Sequence, residues 1–122
     1  MKSKIPELKA HYKLWLSLNN GEGILGDGKW RLLKAIEEHG SISKAATQLE
    51  ISYRKAWGDI KKVEELLGIS VIEKHRGGQL GGSSVITPQG LKLIKAYSRF
   101  HNEFDTFLNK TFQNFSQEIS SL

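Results

Sequence analysis

Between His11 and Leu18 the apolar positions fall on every second residue, with Tyr12, Leu14, Leu16 and Leu18 on one side and Lys13, Trp15 and Ser17 on the other. A period of two is that of a half-buried strand. Asn19, Asn20, Gly21, Glu22 and Gly23 supply turn residues, and Ile24 with Leu25 begins a short return, so residues 1–27 read as an N-terminal β-hairpin. Gly26 and Gly28, on either side of Asp27, are expected to break the chain once more. The period then changes. Trp30, Leu33, Ala35, Ile36 and His39 recur at helical spacing, and Gly40 stands where a left-handed residue ends a helix.

The next segment carries two helix starts in close succession. Ser43 is expected to cap a short helix that turns Ala45, Ala46 and Leu49 inward. Glu50 and Ile51 make a turn, Ser52 is the second cap, and Ala56, Ile60, Val63 and Leu67 form one stripe at i, i+4, i+7 and i+11. A short helix joined to a longer one by about three residues is the helix-turn-helix pattern. Beyond Gly68, Val71 to His75 reads as a strand, Arg76 to Ser84 as a glycine-rich loop, and Val85 with Ile86 as the returning strand, which together make a wing.

Thr87 and Pro88 mark a further helix start, the first as cap and the second pre-set for the first turn. Leu91, Ile94, Tyr97, Phe100, Phe104, Leu108, Phe112, Phe115 and Ile119 keep helical spacing to the end, which predicts one long helix or a bent pair, with Gly90 tolerated in its first turn. The expected fold is mainly α with small β: a single winged helix-turn-helix domain made of the hairpin (1–27), helix-turn-helix and wing (28–86) and a long C-terminal dimerisation helix (87–122). That last helix carries more aromatic side chains than it can bury alone, which points to a partner surface.

Composition narrows the function classes. At 122 residues, 39% of them hydrophobic, the chain can bury a core without metal or disulfide staples, and the absence of cysteine removes disulfides, thiolate nucleophiles and the usual structural zinc sites. No apolar run is long enough to span a bilayer and Met1 to Ala10 is polar, so a cytoplasmic protein without membrane contact is expected. His11, His39, His75 and His101 lie far apart with no ligand spacing, so no metal is expected. Gly77, Gly78, Gly81 and Gly82 follow a strand without opening a helix and lack a Gly-Lys-Ser/Thr ending, which argues against a nucleotide loop and any cofactor. No serine lies in a Gly-x-Ser-x-Gly elbow, and Glu37-Glu38 and Glu64-Glu65 read as solvated helix faces, so no enzyme activity is expected. The net charge of +5 favours an acidic partner.

Double-stranded DNA is that partner if the second helix acts as a recognition helix, because the side chains just after its cap are the ones that reach base edges in the major groove. These are Ser52, Tyr53, Arg54 and Lys55, preceded by Ser43 and Lys44 on the first helix and continued by Gly58 and Lys61. Trp57 borders the core stripe and is expected to pack inward. Gly58 in mid-helix costs about 1 kcal/mol relative to alanine, which implies close approach of a DNA backbone or of a neighbouring helix. On the wing, Lys74, Arg76, Gly77, Gly78 and Gln79 are placed to follow the sugar-phosphate backbone or enter the minor groove. A protein-interaction module that has lost DNA binding is the alternative, and the basic start of the Ser52 helix weighs against it.

These residues resemble the N-terminal DNA-binding domain of the ModE family of molybdenum-dependent transcriptional regulators, related to the LysR-type winged helix. The resemblance rests on Gly40-Ser41-Ile42-Ser43 with Ala45-Ala46, on Ile51 to Trp57, on the wing from Arg76 to Gly82, and on Ile86-Thr87-Pro88-Gln89-Gly90. It implies a homodimer that sets two recognition helices in successive major grooves, with the first and last long helices in the dimer contact. Full-length members continue into a β-rich region that binds molybdate, whereas this sequence stops at Leu122, so molybdate is not expected to bind this chain alone.

Overall fold

The hairpin turn is set by Asn20, whose side-chain oxygen accepts the Glu22 amide at 2.9 Å, and by Gly21, which takes a φ of +93° that a side chain would oppose. The computed structural model describes residues 4–75 and 83–122. Its first strand, β1 (Trp15–Ser17), pairs antiparallel with β2 (Gly23–Gly26), with Leu16 opposite Leu25 and an irregularity between Leu16 and Ser17. The strand is much shorter than the alternation over His11 to Leu18 predicts. Tyr12 and Leu14 are half-buried for another reason: the residues before β1 pack as an extended strap against the long C-terminal helix. Alternating burial needs an extended chain, not a paired one.

Gly26 and Gly28 do not break the chain. Gly26 caps α1 (Asp27–His39) in an extended conformation, and a Cβ on it would lie 3.2 Å from that of Trp15, so it lets the hairpin close onto the helix. Gly40 ends α1 as expected, with φ +71° and its amide on the Ile36 carbonyl. The cap of α2 (Ile42–Gln48) is Ser41 rather than Ser43: Ser41 Oγ accepts the Lys44 amide at 2.9 Å, and Ser43 is an exposed residue inside the helix. Burial decides between the two serines. Ile42, Ala45 and Ala46 form the inward i, i+3, i+4 set, so the helix must include Ile42 and its cap must precede that residue.

Glu50 turns the chain with φ +58°, and Ser52 caps α3 (Tyr53–Leu67) by accepting the Lys55 amide at 3.0 Å. Ala56, Ile60 and Val63 are buried as the stripe predicts, but Leu67, on the last turn before Gly68, is 38% exposed. Glu64 departs from a solvated role: its carboxylate accepts the amides of Val71 and Ile72 at 2.9 and 3.3 Å, tying α3 to the wing. The described part of the wing is β3 (Ile72–His75) paired antiparallel with β4 (Ser83–Ile86), Ile72 facing Ile86 and Lys74 facing Ser84.

Thr87 caps α4 (Pro88–Ile119) by accepting the Gly90 amide, while its hydroxyl donates to the Ser70 carbonyl at 2.6 Å. The helix is continuous over 32 residues, a length of about 48 Å at 1.5 Å per residue. Its buried positions, Gly90, Ile94 and Tyr97, all lie in the first third. There α4 is locked by polar contacts, Tyr97 Oη donating to Asp27 at 2.8 Å and Trp30 Nε1 donating to Ser98 at 2.9 Å, and near its middle Tyr12 Oη donates to Asp105 at 2.6 Å. The rest of α4 leaves the core with Phe100, Phe104, Phe107 and Phe115 exposed. No helix among the described residues is long and apolar enough to cross a membrane.

Candidate nucleic-acid interface

Capping by Ser52 fixes where α3 begins, and the buried Ala56, Ile60 and Val63 fix its rotation, so the first turn presents Tyr53, Arg54 and Lys55 to solvent. The Ser52 hydroxyl oxygen is occupied as the cap. Arg54 is exposed, and among the described residues no carboxylate pairs with its guanidinium. Lys55 Nζ is held by Asp59 Oδ2 at 2.9 Å, one turn along, so a phosphate has to compete for it. Ser43 and Lys44 are exposed on the first turn of α2, and Lys61 is exposed further along α3.

Tyr53 and Lys74 are brought together from opposite sides of the helix–wing junction. Lys74 Nζ lies 3.2 Å from Tyr53 Oη and 4.5 Å above the Trp57 ring, and Trp57 Nε1 donates to the same Tyr53 hydroxyl at 2.8 Å. These donated bonds, that of Lys74 first, hold the Tyr53 hydroxyl below its ordinary pKa. Trp57 packs partly against the core, as expected from its place beside the stripe, yet its indole N–H works at the surface. Its role was missing from the sequence reading, although Tyr53 and Trp57 stand at the i, i+4 spacing that lets helix side chains meet.

Gly58 is exposed, and nothing lies within 4 Å of where its Cβ would stand. Close packing of a neighbouring helix is therefore not why a glycine sits there. Arg76, Gly77, Gly78 and Gln79 fall outside the described residues.

Beside α3 the hairpin leaves a cavity of about 480 Å³, walled by Trp15 and Leu16 and by Lys29, Arg31, Lys55 and Asp59. Burial pushes the Lys29 ammonium below its ordinary pKa, with Lys62 and Lys55 adding to the effect and Asp59 opposing it. Cation density thus extends from α3 to the start of α1.

The sequence profile of bacterial regulatory helix-turn-helix proteins of the lysR family matches residues 28–91, more than half of the chain. The chain belongs to this family. The matched stretch of this lysR-family chain runs from the first turn of α1 to the first turn of α4 and contains the whole helix-turn-helix. Among relatives, it is 42% identical over 73 residues to the molybdenum-pterin-binding protein MopB of Rhodobacter capsulatus, covering 60% of this chain and 27% of that one. It is 32% identical over 96 residues to the molybdenum transport protein ModE of Azotobacter vinelandii, covering 78% of this chain and 36% of that one. The chain therefore spans about a third or less of the length of these relatives. Among solved structures, the BenM DBD in complex with benA site 1 DNA superposes with a TM-score of 0.58 at 27% identity, over 73% of this chain and 94% of that one. The ModE-like resemblance and the winged helix-turn-helix fold both stand.

Proposed function

We propose that this chain is a transcriptional regulator that binds double-stranded DNA, with the first turn of α3 in the major groove and the wing along the backbone. The observation that carries this is the exposed Arg54, without a carboxylate partner among the described residues, beside Tyr53 and Lys55 on a helix whose cap and core stripe present its first turn to solvent. The fold's likeness to a domain solved on DNA supports it. In this assignment Tyr53, Arg54 and Lys55 contact base edges or adjacent phosphates, Ser52 positions them, and Ser43, Lys44, Gly58 and Lys61 face the backbone. Lys74, Arg76, Gly77, Gly78 and Gln79 are assigned to the wing contact. A cytoplasmic location belongs to the same proposal.

The protein acts as a homodimer. Phe100, Phe104, Phe107 and Phe115 leave an aromatic surface on α4 beyond the core, and a second copy of the same helix is the occupant that also supplies a second recognition helix. Relatives carry molybdenum in their names, but no molybdate site is assigned to this chain. Selection of binding sites from random duplexes, followed by titration across a salt series, tests the function. A selected site with two half-sites, and an affinity that falls steeply as salt rises, is expected. No enriched sequence and no salt dependence would leave the aromatic helix as a protein-docking element and exclude DNA.

A further inference from the structure

The Tyr53 hydroxyl stands on the exposed first turn of α3 with both of its acceptor positions occupied. The Trp57 indole N–H lies 2.8 Å away and the Lys74 ammonium 3.2 Å away, and neither group can do anything but donate. A phenol has two lone pairs and one proton. With the lone pairs engaged, the proton is the only hydrogen-bonding capacity left, and among the described residues no acceptor takes it. The side chain is 46% exposed, so the proton is available to a ligand.

Taking α3 as the DNA-reading helix, we propose that Tyr53 is a DNA-contacting residue of fixed direction: its hydroxyl donates to a hydrogen-bond acceptor on DNA and does not accept from a base amino group. The acceptors of this chemistry in the major groove are purine N7, guanine O6 and thymine O4, and on the backbone a phosphate oxygen. The amino groups of cytosine and adenine, which are donors, are refused at that position.

Trp57 is the positioning residue. One turn from Tyr53 and packed partly against the core, it holds the hydroxyl from below, while Lys74 reaches it from β3. The Lys74 ammonium also lies over the Trp57 ring, so the three side chains brace one another. Lys74 has three protons and can keep Tyr53 with one while another meets a phosphate. The wing thereby sets the direction of a hydrogen bond made by the recognition helix. The lowered pKa of Tyr53 has the same two bonds as its main causes and makes the remaining proton easier to share.

The test uses the intact protein and a duplex chosen by in vitro selection, with acceptors removed one atom at a time. The base arm uses 7-deazapurines, 2-aminopurine in place of guanine and 5-methyl-2-pyrimidinone in place of thymine, and the backbone arm uses single methylphosphonates. One deletion is expected to weaken wild type about three- to tenfold and to leave Tyr53→Phe unchanged, and the arm in which it occurs identifies the acceptor. Trp57→Phe, which keeps a ring but loses the N–H, is expected to shrink that coupling, and Lys74→Arg, which keeps a donor, is expected to retain it.

The proposal is overturned if every deletion costs Tyr53→Phe as much as wild type, or if Trp57→Phe binds random duplex normally and keeps the full coupling. Should Trp57→Phe unfold, the Tyr53→Phe comparison decides alone. Absence of any sequence-specific complex with wild type would remove DNA binding itself and this contact with it, a result distinct from specific binding without coupling.

Discussion

Gly90 lies directly against the Val71 carbonyl: a Cβ added to it would stand 2.7 Å from that oxygen and 2.9 Å from the Ile86 Cγ2. The start of α4 is thus pressed onto the wing so closely that only glycine fits. In an exposed helix a change from glycine to alanine gains up to about 1 kcal/mol. Here Gly90→Ala is expected to lose about 1–3 kcal/mol, because backbone rather than a flexible side chain must move. Thermal unfolding followed by circular dichroism should show a Tm lowered by several degrees, and an unchanged Tm would mean that the junction is looser than described.

Gly58 is the opposite case. Nothing surrounds its missing Cβ, so Gly58→Ala is expected to stabilise the free protein by about 0.5–1 kcal/mol. If a DNA backbone passes close to α3 at this point, the same methyl group weakens the complex. A raised Tm together with a loss of DNA affinity is the expected pair of results, and tighter or unchanged binding would remove Gly58 from the interface.

Tyr12 and Tyr97 give the fold an alkaline limit. The hydrogen bond from Tyr12 to Asp105 is the main cause that raises the phenol from 10.0 to about 12, and burial with the Asp27 bond raises Tyr97 as well. A phenol whose folded pKa lies above its unfolded value keeps its proton more tightly when folded. Its contribution is therefore full below pH 10.0 and is lost as pH rises from there towards about 12. Urea unfolding at pH 8 and at higher pH should show wild type losing more stability than the Tyr12→Phe, Tyr97→Phe double variant, and equal losses would contradict the assignment.

Lys55 is restrained by Asp59, and the exposed pair contributes little to stability, at most about 0.5 kcal/mol. Asp59→Asn removes the competing carboxylate and frees the ammonium for phosphate. Affinity for duplex DNA is expected to rise about threefold, with a steeper salt dependence and little change in Tm. Weaker binding would mean that Asp59 itself contacts the DNA or orders Lys55 for it.

Local chemistry makes much of this legible in the sequence. Ser52 and Thr87 are helix caps because each bonds an amide three residues on, an event contained within one turn. Gly40 and the Ala56, Ile60, Val63 stripe are equally local. The cap expected at Ser43 falls at Ser41 instead, because Ile42 is buried with Ala45 and Ala46 and hydroxyl chemistry alone does not distinguish the two serines. Alternation from Tyr12 to Leu18 overstated the strand because a strap on a helix buries alternate residues as a sheet does. Gly90 against Val71, Glu64 on the wing amides, and Lys74 over Trp57 were out of reach, since each joins parts of the chain that meet only after folding. The candidate DNA-facing turn was visible, whereas the hydrogen bonds that orient it were not.

Arg54 tests the central claim most directly. Fluorescence anisotropy titrations on a selected operator and on random duplex, with Arg54→Ala compared against Arg99→Ala on the exposed surface of α4, separate recognition from general charge. Arg54→Ala is expected to weaken the operator complex about tenfold or more and to narrow the gap between operator and random duplex, while Arg99→Ala leaves that gap intact. Equal small losses for both variants on both duplexes would contradict the assignment of the first turn of α3 as the element that reads DNA.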